Sequence, residues 1–109
     1  MRAIVISVTG FLICAGLASG EEGIGDRVAG GAFARDVCAD CHHVEADEPT
    51  LLLTDIKPFR MIAEDPKTTV LSLRVFLRTP HQGMPDFILT SQQTDNVIAY
   101  ILSLRPGQE

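Results

Sequence analysis

An all-α fold is what this sequence predicts, with three main helices joined by loops. Three observations carry the expectation. In "DPKTTVLSLRVFLRTP", Val70, Leu73 and Leu77 fall on one helix face, with Leu71 and Phe76 on its flanks. In the closing segment Val97, Ile98, Tyr100, Ile101 and Leu104 form a broad apolar face. No stretch shows the alternation of a half-buried strand.

The first helix is expected from Asp26 through "DRVAGGAFARDVCADC", with Asp26 as its cap and as an acidic charge suited to the positive end of the helix dipole. Gly30 and Gly31 each cost a helix about 1 kcal/mol against alanine, a loss that is sensible only where another helix comes very close. Val44 to Lys57 has no period and reads as a loop around something apolar, punctuated by Pro49 and Pro58. A short helix is expected over Phe59 to Ala63, with Met61 packed in the core. Asp65 is the expected cap of the next helix, with Pro66 as its first residue, and Thr79-Pro80 ends it. "HQGMPDFIL" is a loop. The last helix opens on Thr90-Ser91-Gln92-Gln93, a capping-box pattern, and stops at Pro106 and Gly107.

Ahead of these elements, residues 1–20 read as a secretory signal peptide. Arg2 supplies the positive start, Ala3 to Leu17 is uncharged and apolar, and Ala18 and Gly20 suit a cleavage site. The apolar run is shorter than the ~20 residues a membrane span prefers, so contact with a membrane is expected only if this segment is kept. The expected organisation is a signal peptide at 1–20, a mobile glycine-bearing leader at 21–25 and one domain at 26–109. Of 109 residues, 9 are basic and 14 acidic, a net charge of −5, which argues against nucleic-acid binding. The mature domain, about 90 residues, is small enough to need a staple or a prosthetic group.

Cys14 leaves with the signal, so the mature chain keeps Cys38 and Cys41. A disulfide between them would close a tiny loop and remove little chain entropy. Three chemistries compete for Cys38-Ala39-Asp40-Cys41-His42. A redox dithiol wants its pair at the start of a helix after a strand, and this pair falls at the end of a helix. A zinc site wants four ligands, and only His43 and His81 remain as further nitrogen donors. Covalent haem suits the spacing: one turn sets two sulfurs along one macrocycle edge, and the histidine that follows reaches the iron. For the opposite axial position the candidate is Met84 in "TPHQGMPDF", between Pro80 and Pro85, with Gly83 letting the backbone approach. A thioether opposite an imidazole favours ferrous iron and electron transfer. Met61, His43 and His81 are weaker candidates for that place.

Cys38-Ala39-Asp40-Cys41-His42, Met84-Pro85 and "TDNVIAYILSL", in this order, resemble the class I cytochromes c of the small bacterial type over about residues 26–105. The resemblance implies the cytochrome c fold: three main helices around one haem c, held through two thioethers, with the first and last helices crossed. It implies haem and iron binding by Cys38, Cys41, His42 and Met84, with His42 and Met84 as the metal ligands and no catalytic residue. Gly30 and Tyr100 match a glycine and an aromatic that meet at the crossing. Where the family often has an aromatic one turn before the first cysteine, this chain has Ala34 beside Phe33. The family's proline, whose carbonyl receives the proximal imidazole N–H, corresponds to Pro49 or Pro58, with Pro49 preferred as the nearer. Arg60, Arg74 and Arg78 are either propionate partners or solvated.

The function expected is that of a monomeric periplasmic electron carrier, not an enzyme, docking redox partners through a basic face on the partner's side. A ligand-binding or peroxidatic haem domain, and a fixed haem subunit of a larger redox complex, are the alternatives.

Overall fold

The computed structural model describes residues 23–47, 55–79, 83–84 and 87–108. The expected signal segment lies outside the described residues, as do Pro49, Pro80, His81 and Pro85. The described residues are helical and contain no strand, in the order α1 (Arg27–Phe33), a π turn (Ala34–Cys38), α2 (Phe59–Glu64), α3 (Val70–Arg78) and α4 (Ser91–Ser103). None of these helices is long and apolar enough to cross a membrane.

Each helix starts for a local reason. The Asp26 carboxylate accepts from the amides of Val28 and Ala29, satisfying two donors that α1 cannot pair internally. Thr90 and Gln93 form the reciprocal capping box expected for α4. The start of α3 differs from expectation. Its cap is Thr69, in a second reciprocal box with Ser72. Asp65 instead closes α2 and accepts from the Lys67 amide in the turn that follows. Serine at the third helical position does the work more often done by glutamate or glutamine, which is why this box is easily overlooked.

The core forms where α4 receives the other helices, α1 most extensively. Val97, Ile98, Tyr100 and Ile101 are buried against Ala34, Val44, Phe59, Ala63 and Leu73. The expected faces of α3 and α4 are the ones that pack, whereas the flanking Leu71 and Phe76 are exposed. Met61, expected in the core, is 40% exposed: α2 turns Phe59 and Ala63 inward, and Met61 lies between them on the outer side.

The α1–α4 crossing explains both glycines. A Cβ on Gly30 would overlap the Asn96 carbonyl and stand 3.0 Å from Tyr100 Cβ. A Cβ on Gly31 would stand 3.0 Å from the Tyr100 ring. Gly25, the last residue of the expected leader, is likewise seated on the backbone of Asp95 and Asn96. The Asn96 side chain secures the crossing by accepting from the Asp26 amide at 2.9 Å. Ala34 is fully buried where an aromatic was the family's usual choice, and Phe33 packs beside it, half-buried.

Away from the crossing, Arg105 donates to the carbonyls of Ala63 and Thr68, tying the end of α4 to the end of α2. Nothing in the sequence around Arg105 distinguishes it from a solvated arginine.

Gly30→Ala tests the crossing. Alanine favours a free helix by about 1 kcal/mol, yet overpacking here is expected to cost roughly 1–3 kcal/mol net. Urea unfolding should show a lower midpoint for Gly30→Ala; a midpoint equal to or above wild type would show that the helices do not meet at Gly30.

Candidate functional site

The site begins where α1 loosens. The π turn places the Ala39 amide on the Ala34 carbonyl at 2.9 Å, five residues back. The Cys38 carbonyl then accepts from both Cys41 N–H, at 3.1 Å, and His42 N–H, at 2.8 Å. Cys38 to His42 therefore make one closed turn, with both sulfurs and the imidazole issuing from it. Cys38 is half-buried and Cys41 exposed, and both are free thiols.

His42 is held from behind. Its Nδ1 lies 2.9 Å from the Lys57 carbonyl. A carbonyl oxygen only accepts, so Nδ1 carries the proton and the Nε2 lone pair remains for a metal. The ring also meets Phe59 at a tilt, 5.2 Å between centroids. The carbonyl that orients the imidazole thus comes from Lys57, the residue before Pro58, and not from Pro58 itself; Pro49, the nearer candidate in sequence, lies outside the described residues. The reason is local: Pro58 caps α2, and its own carbonyl receives the Ile62 amide at 3.1 Å.

The segment after the motif is fixed to the crossing. The Tyr100 hydroxyl donates to the Val44 carbonyl at 2.8 Å, and lies 3.4 Å from Glu45 Oε2. Arg35, in the π turn, grips Glu45 with Nε and Nη2, and its guanidinium stands 5.7 Å from the Tyr100 ring centroid. The Arg35 hydrogen bond holds the Glu45 carboxyl below the usual carboxylate range. Neither Arg35 nor Glu45 was singled out from the sequence; the pair is ten residues apart, and no helical spacing joins them.

Met84 is contributed separately. It lies in the α3–α4 connection, half-buried, next to Gly83 at φ +84°, a left-handed conformation that favours glycine. The structure brings Cys38, Cys41 and His42 into one turn and leaves Met84 on its own loop. The arginines named from the sequence have other commitments: Arg74 pairs with Asp95, and Arg60 with Glu64 and the Ala46 carbonyl. Arg78 is exposed.

This donor set fits haem better than its rivals. Two thiols one turn apart and an imidazole with a free Nε2 are what attachment and axial ligation require. A redox dithiol would want an activated thiol. Burial instead pushes the Cys38 thiol up, and its place at the end of a helix offers no positive dipole to oppose that. Among the described residues, no group of three or more His, Cys, Asp or Glu is placed to hold a metal ion.

The family model for cytochrome c matches residues 28–105. A cytochrome c-552 from Bradyrhizobium diazoefficiens is 36% identical over 81 residues, which cover 74% of this chain and 77% of that protein. No solved structure gives a significant match.

In the chain before attachment, the two thiols should differ in reactivity. Cys41 is exposed, whereas Cys38 is half-buried with its thiol shifted up, so less of it is thiolate at neutral pH. Limited iodoacetamide treatment followed by peptide mapping should find Cys41 modified first. Equal or reversed labelling would contradict the burial of Cys38.

Proposed function

The chain belongs to the cytochrome c family, and on that premise we propose that it is a periplasmic carrier of single electrons with histidine–methionine ligation. Membership makes it a haem protein of an electron-carrying family. Cys38 and Cys41 would hold one haem c as thioethers, and His42 and Met84 would ligate its iron. The observation that carries the reading is the His42 Nδ1–Lys57 hydrogen bond immediately after the two thiols, because it presents Nε2 as a fixed, strengthened donor.

When bound, haem supplies a ferric–ferrous couple that the side chains cannot. The chain's task is to keep the surroundings the same in both states. His42 is restrained by Lys57 and Phe59, so its ring has little freedom to turn. Gly83 permits the bend that carries Met84, whose weak thioether donation favours ferrous iron. Ligands restrained in this way would keep the change of geometry on electron exchange small. Asp36, Asp40 and Asp47 are exposed on and beside the attachment turn. They support docking to a basic face on a redox partner, with affinity that falls as salt rises. The signal-like segment at 1–20 supports export to the periplasm.

Mass spectrometry of the mature protein tests attachment and export together. The expected mass is that of the chain without about its first 20 residues plus one haem; a haem-free mature mass with a Cys38–Cys41 disulfide would end the proposal.

Spectroscopy of Met84 variants tests the ligand. Met84→His should stay six-coordinate and low-spin at a lower potential, and Met84→Ala should admit carbon monoxide. Met61→Ala is the control, and as an exposed position it should leave both spectrum and stability nearly unchanged. If wild type itself bound carbon monoxide readily at neutral pH, a ligand-binding haem domain would be the better reading.

A further inference from the structure

We propose that Arg35 and Glu45 are positioning residues for the axial histidine, acting as a clamp that holds the His42 imidazole on the Lys57 carbonyl. The proposal rests on the haem reading above and extends it to residues outside the donor set.

The connection can be followed bond by bond. Residues 42–45 and 57–59 run side by side, joined by two hydrogen bonds: His42 Nδ1 to the Lys57 carbonyl, and the Phe59 amide to the His43 carbonyl, both at 2.9 Å. The second bond sets the distance between the two segments and hence the first. One of these segments starts α2, whose Phe59 and Ala63 are buried against α4. The other leads directly out of the attachment turn, and its register is fixed only two residues further on. There Val44 is held by the Tyr100 hydroxyl, and Glu45 by the Arg35 fork. Arg35 in turn belongs to the π turn that leads into Cys38. Arg35 and Glu45 therefore bracket the attachment turn and close it into a ring across its two ends. A planar guanidinium gripping both carboxylate oxygens fixes direction as well as distance, which a lysine point charge does not.

Net stability is not what such a pair contributes most, since an exposed ion pair is worth little. The Arg35 and Glu45 side chains are 54% and 36% exposed. What it contributes is restraint on His42. A firm hydrogen bond from Nδ1–H makes the imidazole a stronger donor and favours ferric iron; a loosened one favours ferrous iron and raises the potential.

This gives a test that separates position from charge. Arg35→Lys keeps the charge and loses the fork. If Arg35 acted only through its charge, the potential would not move; a clamp predicts a rise. Glu45→Gln should raise the potential under either account. Arg35→Gln should also raise it if the clamp dominates, whereas charge alone would lower it. Arg74→Lys, in the separate Arg74–Asp95 pair between α3 and α4, is the control and should leave the potential in place.

Amide hydrogen exchange gives a readout independent of the iron. In Arg35→Lys and Glu45→Gln the Phe59 amide should exchange several-fold faster, while the Leu73 amide, bonded to Thr69 at 3.0 Å in α3, should not change. An unchanged potential in Arg35→Lys, a lowered one in Arg35→Gln, or an unaltered Phe59 exchange rate would each overturn the clamp. These failures are distinct from failure of the haem reading, which the mass of the wild-type protein decides by itself.

Discussion

The crossing of α1 and α4 is the constraint on which the rest of the structure depends. Two helices approach so closely at Gly30 that a side chain is excluded, and the Tyr100 ring lies against Gly31. That position carries the Tyr100 hydroxyl to the Val44 carbonyl, three residues past the attachment turn's second thiol, Cys41. A buried carbonyl without this partner would cost about 1–3 kcal/mol. The glycine pair, unfavourable for a helix in isolation, is thus offset by the contact it permits.

From the crossing outward, order is passed along the backbone. α4 holds Val44; the loop after the motif holds the start of α2 through His43 and Phe59; Lys57 then meets His42. The donor histidine is oriented by a main-chain carbonyl rather than a side chain, so the identity of residue 57 matters less than the path of the chain there. Pro58 fixes that path, since its ring restricts the conformation of the residue before it and its own carbonyl is taken up by α2. The expectation that a proline carbonyl receives the proximal imidazole N–H is not met, because the acceptor is the Lys57 carbonyl. The supporting atom belongs to the neighbour because helix capping has first claim on the proline's carbonyl.

Charge is distributed by the same logic. Arg74–Asp95 and Arg60–Glu64 join exposed or half-buried helix faces, and such pairs are worth roughly 0–1 kcal/mol each in high dielectric. Arg35–Glu45 differs in having an aromatic ring and a buried hydroxyl beside it. Arg105 uses its guanidinium on two carbonyls instead of an acid, closing the end of the last helix over the second. None of these partners is visible from helical spacing alone except Glu64, four residues from Arg60.

The sequence by itself determined the helical class, the apolar faces of α3 and α4, the caps at Asp26 and Thr90, the need for close approach at Gly30, and the two thiols and histidine of one turn. Each is a local matter: period, capping chemistry, or spacing within a single turn, all written in adjacent residues. Only the tertiary structure decided that Thr69 rather than Asp65 begins α3, that Met61 faces outward, that a π turn ends at Cys38, and that Lys57, Glu45 and Arg35 surround the motif. Those depend on pairings across ten or more residues, or on which of two local options the packing rewards. A cap can be written in the sequence twice, and the fold uses the one at Thr69. A carbonyl carries no side-chain signature at all, so the atom that orients His42 is known only once the chain has folded.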